Sequence, residues 1–464
     1  MLKSNIAWMK KNVPSDLKVW KGMIQDIDWS QVAAKAKLSL QRDKDRITAE
    51  FKEFAAMDTS AKIDWLMNGD RHLGYLYKKD AIAFARREWK GLKSVGYDFV
   101  GWLKIWGGML NMVMKDPMSI MLAVFEYHWF ASYLATPAVV DRSVFGRRGK
   151  LLQADFDMWV AITHWAEDLI ANLIMADAKI GGNQKINKRI IMFDEMTMAQ
   201  MMAGFPNLLG IPYQMIPVFM VSEMDQLTLI PYIDAIESYG LPSDTCPLPT
   251  AECGCAVKDE YPMCGQGFIA SSMPCDGSVM ATSFQDRRFS KFMPSYPLCM
   301  PVRYDDEDTT EMAAADMKDC IHWVEGLTGE TWNWDTYFAT MEKMNECTRL
   351  EMEKWEINKT HYPQLVGSSF ELFRKWNYEM DGGLFPEGLK TQRKICKTMM
   401  ETYEKKLPAY VGGYEKYRAL IWSCPAHFYA NFSNWLANCW GIYALTEMEA
   451  LNMTKMLNTT DKDE

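Results

Sequence analysis

The chain has 464 residues, 48% of them hydrophobic and 24% charged, the balance of a folded globular protein with two or three domains. Its formal net charge of −9, from 51 basic against 60 acidic residues, excludes a basic nucleic-acid binder, and the composition excludes a collagen-like or disordered chain. The 36 Met, 18 Trp and 11 Cys suit a reducing or anaerobic setting, since thioethers and thiols are readily oxidised.

Met1 to Asn12 hold neither an apolar core of signal-peptide length nor a small-residue cleavage site, so a cytoplasmic location is expected. Residues 1–150 read as a helical N-terminal region, with apolar residues at helical spacing in segments such as Ile82-Ala-Phe-Ala-Arg-Arg-Glu-Trp. An α/β lobe is expected over 151–305. It opens with a helix over Asp155–Ala178, followed by a strand over Ile186–Phe193 with Asp194 as the next N-cap. A helix to Ala203, stopped by Gly204, and a short strand over Leu208–Pro212 complete a βαβ unit and hence a parallel sheet. Met196 to Ser222 carries no formal charge, yet Pro206, Pro212 and Pro217 interrupt it, so buried elements rather than a membrane span are expected.

The same grammar recurs: a strand over Gly267–Ser272, a helix over Gly277–Met293 and a strand from Tyr296 to Val302. A helical connector over 306–410 follows, with two long helices near 309–328 and 335–357, the second capped by Asp335. Residues 411–464 read as an incomplete second α/β lobe. The fold class is therefore α/β: a Rossmann-like parallel-sheet lobe with an N-terminal helical region, a helical connector and part of a second lobe.

Cys246, Cys253, Cys255, Cys264 and Cys275 fall close together, where an even scatter of 11 cysteines over 464 residues would place fewer than one. Thiolates select iron–sulfur clusters or zinc. The spacing matches neither the ferredoxin run nor a zinc ribbon, so a metal site, iron–sulfur or zinc, and a group of buried inert thiols both stand as readings. Cys246 lies in a loop, and Cys275 lies between a strand and the helix near Gly277, where open α/β sheets bind ligands. Cys253, Cys255 and Cys264 are expected in a loop. Cys299, Cys320, Cys347, Cys396, Cys424 and Cys439 are expected as core thiols. His164 reads as a packed core histidine, His427 as a loop histidine, and Asp305 to Asp308 as a solvated helix start. No Walker loop, zincin or serine-hydrolase motif occurs.

At Asp244-Thr-Cys246, Ser271-Ser-Met-Pro-Cys275-Asp-Gly-Ser-Val-Met280 and Tyr304-Asp-Asp-Glu307, the chain resembles the 2-hydroxyacyl-CoA dehydratase and benzoyl-CoA reductase family, over roughly 155–450. The resemblance implies an oxygen-sensitive enzyme subunit that binds a [4Fe-4S] cluster and pairs with a second homologous subunit. It also implies an ATP-dependent iron–sulfur activator that delivers an electron, which turns the acyl-CoA or aryl-CoA thioester into a ketyl radical anion. Dehydration of a 2-hydroxyacyl-CoA is the expected reaction; aryl-CoA reduction and a noncatalytic relative without the cluster are the alternatives. Cys246 and Cys275 match two of the family's cluster ligands, and Glu195 matches a position near its substrate. The family's third cluster cysteine lies in the second α/β lobe, which this chain is expected to hold only in part. Cys255 and Cys264 therefore stand as local candidates for the remaining ligands.

Overall fold

The computed structural model describes residues 27–69, 89–144, 147–193, 199–213, 215–224, 227–242, 244–271, 276–299, 301, 306–365, 383–407, 415–421, 436–447 and 456–463, with isolated positions before 27 and at 409. Helices α1 (Trp29–Ala56) and α2 (Thr59–Asn68) open the chain, each started by an aspartate whose carboxylate accepts backbone N–H groups of the first turn. Then come α3 (Leu92–Lys115), α4 (Pro117–Glu126), α5 (Thr136–Ser143) and α6 (Gly149–Ala176). Most of α6 is buried, including Trp159, Trp165 and Leu169.

Two glycines set the distance between α3 and α6. A Cβ on Gly101 would lie 2.3 Å from the Phe156 ring, and one on Gly108 would lie 2.4 Å from the Glu167 carboxylate. Both glycines are buried with Ile105 and Met112 on the inward face of α3, while Phe99, Leu103, Trp106 and Leu110 on its other face are exposed. Beside α6, Arg147 Nε lies 2.9 Å from Asp155 Oδ2, with both side chains almost fully buried, and Arg147 Nη1 donates to the Ala409 carbonyl at 2.7 Å. Burial pushes the Asp155 carboxyl up to about 6, against the pull of Arg147.

The short helix α7 (Gln184–Asn187) leads into β1 (Ile190–Phe193), and β2 (Leu209–Pro212) follows. The first strand starts four residues later than its apolar run suggests. The Asn183 side chain accepts from Lys185 and Ile186 N–H, which commits those residues to a helical turn. The described end of the helix expected up to Ala203, Gln200–Gly204, is a 3₁₀ turn; Asp194 to Met198 lie outside the described residues. Next come α8 (Met220–Met224), α9 (Ile230–Glu237), α10 (Pro247–Val257), β3 (Gly267–Ser271), α11 (Asp276–Phe289) and β4 (Ser295–Leu298).

The four strands form one parallel sheet in the order β2-β1-β3-β4. Both inner strands, β1 and β3, are buried along their whole length, as a parallel sheet covered on two faces requires. On one face Ile190, Met192, Phe268 and Ala270 join the core that contains α6 and Phe289. On the other, Ile191, Phe193, Ile269 and Leu298 pack with Met201, Met202, Cys320 and Val324. The latter two come from α12 (Glu307–Thr328), so the sheet is the middle of three layers.

Asp306 caps α12 by accepting from Thr309 N–H at 2.7 Å, with Glu307 and Asp308 in the first turn, which bears out the helix start expected at this acidic run. Helix α13 (Trp334–Asn358) is capped by Asn333 rather than by Asp335, which sits in the first turn. The Trp332 ring packs where Gly204 has no side chain, joining this connector to the 3₁₀ turn after β1. Helix α14 (Pro386–Glu404) packs against α6 and α13. A second, two-stranded parallel sheet pairs β5 (Tyr417–Ile421) with β6 (Ile442–Glu447). Among the described residues no helix is long and apolar enough to cross a membrane.

Candidate functional site

In an open parallel sheet, ligands bind beyond the carboxyl ends of the strands, at the point where successive crossovers leave in opposite directions. The chain runs from β1 to β2 on one side and then returns across β1 to β3, so that point lies between β1 and β3. Phe193, the last residue of β1, pairs with Ile269, and β3 continues for two more residues to Ser271. Glu195 follows the first strand by two positions and Cys275 follows the second by four. Both lie outside the described residues, as does His427.

Cys246 is exposed and forms the N-cap of α10, with Pro247 at the first helical position. Its carbonyl accepts from Thr250 N–H at 3.2 Å and from the Thr250 hydroxyl at 2.7 Å. Pro247 and Pro249 carry no N–H, so what the start of α10 offers an anion is the partial positive charge of its aligned backbone dipoles. This exposed thiol fits a cluster ligand.

Cys253 and Cys255 depart from the expected loop: both are on α10 and buried. The Cys-Gly-Cys run is a packing device. A Cβ on Gly254 would lie 1.9 Å from the Tyr232 carbonyl oxygen, so only glycine lets α10 press against the backbone of α9. Cys253 packs with Ile236 of α9 and Ala281 of α11, and burial pushes its thiol up to about 12. Cys255 is in the main core, and burial raises its thiol well above the ordinary range. Cys264, in the segment after α10, is equally buried; its Sγ lies 3.8 Å from Met192 Sδ, and burial again raises the thiol. All three thiols are packed among apolar side chains, away from solvent. Among the described residues no group of three or more His, Cys, Asp or Glu side chains gathers as a metal site.

The remaining cysteines divide. Cys320, Cys347 and Cys396 are buried on helices as expected, whereas Cys299 lies just past β4 and is exposed, its N–H donating to Asp316 Oδ2 at 2.6 Å. His164 is not a sealed core residue: its side chain is about a third exposed and Nδ1 lies 3.1 Å from Glu387 Oε2.

Two features escaped the sequence reading. A polar seam ties the residues after α4 to the lobe: Tyr232 donates to Glu260 Oε2 at 2.5 Å, His128 N–H donates to the same oxygen at 2.9 Å, and Trp129 Nε1 donates to the Glu260 carbonyl at 2.8 Å. Beside it Tyr127 donates to Asp177, whose other oxygen accepts from Met263 N–H at 2.7 Å. The second feature is a cavity of about 280 Å³ at the β2 edge of the sheet, between α6, the 3₁₀ turn and the start of α14. Its lining comes from distant parts of the chain and leaves no local motif; the apolar run before Gly204 is the one sequence signal near it.

A comparison with curated proteins finds no match. Residues 226–464, which include α9 to β4, the connector and the second sheet, match the family described as 2-hydroxyglutaryl-CoA dehydratase, D-component. With half of its length matched, including Cys246 and the Cys275-Asp-Gly stretch, the chain belongs to the 2-hydroxyglutaryl-CoA dehydratase D-component family.

Proposed function

We propose that this chain is the iron–sulfur subunit of a cytoplasmic, oxygen-sensitive 2-hydroxyacyl-CoA dehydratase, working with a second homologous subunit and an ATP-dependent activator. The observation that carries the reading is the strand order: the residues that follow β1 and β3, the two strands flanking the crossover reversal, include Glu195 and Cys275. Cys246, an exposed thiol at the start of α10, supports the same site from a third element.

In this reading Cys246 and Cys275 hold a [4Fe-4S] cluster as thiolates, each next to the N-terminal end of a helix whose partial positive charge favours the anion. The bound cluster supplies single electrons at low potential to a thioester carbonyl. Glu195, two residues beyond β1, orients the acyl group and takes up or returns its proton. Cys253, Cys255 and Cys264 keep their thiols in the core and serve packing.

Anaerobic purification with iron and sulfide analysis tests the assignment. About four iron and four sulfide per chain are expected, with loss of most iron in Cys246→Ser and Cys275→Ser and retention in Cys264→Ser. Full iron content in both of the first two variants would overturn the ligand assignment, and zinc without sulfide would overturn the cluster itself.

A further inference from the structure

Helix α3 is apolar on both sides, although only one side is covered. Opposite the face it presents to α6, nine large apolar side chains between Leu92 and Met114 are each more than a third exposed; Phe99, Leu103, Trp106 and Leu110 are 55–65% exposed. No charged residue falls within this arc, and Lys93, Lys104 and Lys115 border it along one side. Such side chains leave on the order of 1,000 Å² of apolar surface, beyond the roughly 300–600 Å² patch of a typical monomer and enough for the about 800 Å² per partner of a stable interface. A helix that is apolar all round is stable only when it is buried all round.

Two further glycines indicate the kind of cover that fits. Gly96 and Gly107 lie in the same exposed arc, and among the described residues nothing stands within 4 Å of a Cβ built on either. Each costs its helix about 1 kcal/mol relative to alanine. At Gly101 and Gly108 the close approach of α6 offsets that cost; no described element does so at Gly96 and Gly107. These two share one line along α3 to within about 20°, so a second helix can lie close against the backbone there. A lipid surface takes up side chains and gains nothing where they are missing.

The chain carries a second uncovered stripe of matching length. Trp29, Leu40, Ile47 and Phe51 fall along one line of α1 and are 56–73% exposed. With 28 residues α1 is about 42 Å long, and with 24 residues α3 is about 36 Å long. We propose that a second copy of this chain covers both stripes at once, each copy laying α1 along α3 of its mate. A two-fold axis makes the two contacts equivalent, as an isologous dimer requires, and doubles the buried surface. The interface lies in the N-terminal helices, outside residues 226–464 that match the family, and does not depend on the proposed cluster.

Sedimentation velocity of the full chain across micromolar concentrations tests this, with a dimer of twice the 53.5 kDa chain expected. Leu103→Glu with Leu110→Glu in α3, and Leu40→Glu with Phe51→Glu in α1, are each expected to weaken the dimer roughly hundredfold. Mixing the two double variants is expected to give dimers at concentrations where neither dimerises alone, because the intact α1 of one then meets the intact α3 of the other. Gly107→Leu, which favours the isolated helix, is expected to weaken the dimer about tenfold by filling the point of closest approach. A monomeric parent overturns the proposal, and a monomer that floats with vesicles of anionic phospholipid assigns the face to lipid instead. Dimerisation of the α1 double variant alone also overturns it, since α3 then pairs with α3. So does a mixture that stays monomeric, or a Gly107→Leu dimer as tight as the parent.

Discussion

The helical layer around α3 and α6 and the parallel-sheet lobe bury comparable kinds of side chain for different ends. In the helical layer close approach is set by missing side chains, at Gly101 and Gly108, and the polar groups inside are confined to a few, notably the Arg147–Asp155 pair and Glu167. In the lobe the same device, Gly254 against Tyr232, positions a helix whose N-cap residue, Cys246, bears an exposed thiol. Packing in one region closes a face of the sheet; packing in the other seats a helix that starts at an exposed thiol. The seam through Tyr127, Trp129 and Glu260 means that the two regions share one core rather than meeting as separate bodies.

The substitution expected to act most strongly is Gly254→Ala. A methyl group 1.9 Å from a backbone carbonyl cannot be relieved by a side-chain rotation, so α10 must move off α9. A loss above about 4 kcal/mol, or failure to fold, is expected in denaturant unfolding. A variant as stable as the parent would break the comparison on the lobe side, because Cys246 would then not depend on that contact for its place.

Next comes Arg147→Met, which strands Asp155 without its cation in the helical layer. Equilibrium unfolding should show a loss of about 3–5 kcal/mol, much of it recovered when Asp155→Leu is added. If the single and double variants are equally unstable, the arginine contributes by its bond to Ala409 rather than by pairing.

Glu167 gives the smallest and most diagnostic effect. Its carboxyl lines a cavity of about 20 Å³, room for roughly one water, with Met109, Met112, Met220 and Met224. Burial raises its pKa from 4.5 to about 8, partly offset by Lys115. A carboxyl whose folded pKa lies above its unfolded one stabilises the fold at low pH, and the contribution is lost as pH rises from about 4.5 through about 8. Unfolding free energies across that range should fall for the parent and stay flatter for Glu167→Gln, which should be the more stable by about 2–4 kcal/mol at pH 9. Parallel pH profiles would mean that the carboxyl is solvated, and that the two regions differ less than their cores suggest.

Much of the lobe could be read from local pattern. Ile190–Phe193 and Gly267–Ser271 are uninterrupted small or apolar runs bounded by turn residues, and strands buried on both faces need that pattern. Cys246 and Cys275 stood out by the company they keep with Asp-Thr and Asp-Gly. The helix over Pro247–Val257 was not legible, because two prolines, a glycine and a nearly even spread of apolar residues carry no helical period. Its helicity comes from contacts with α9 and α11, and those also turned Cys253 and Cys255 from loop thiols into core.

Sequence alone settled the kind of fold and the family, because strand hydrophobicity and short motifs are local properties that survive without knowledge of neighbours. Only the tertiary structure decided which cysteines face solvent, where the sheet reverses its crossovers, and that a ring-lined cavity opens at its edge. Each depends on which distant residues exclude water from a given atom, and burial of that sort is a property of the packed whole.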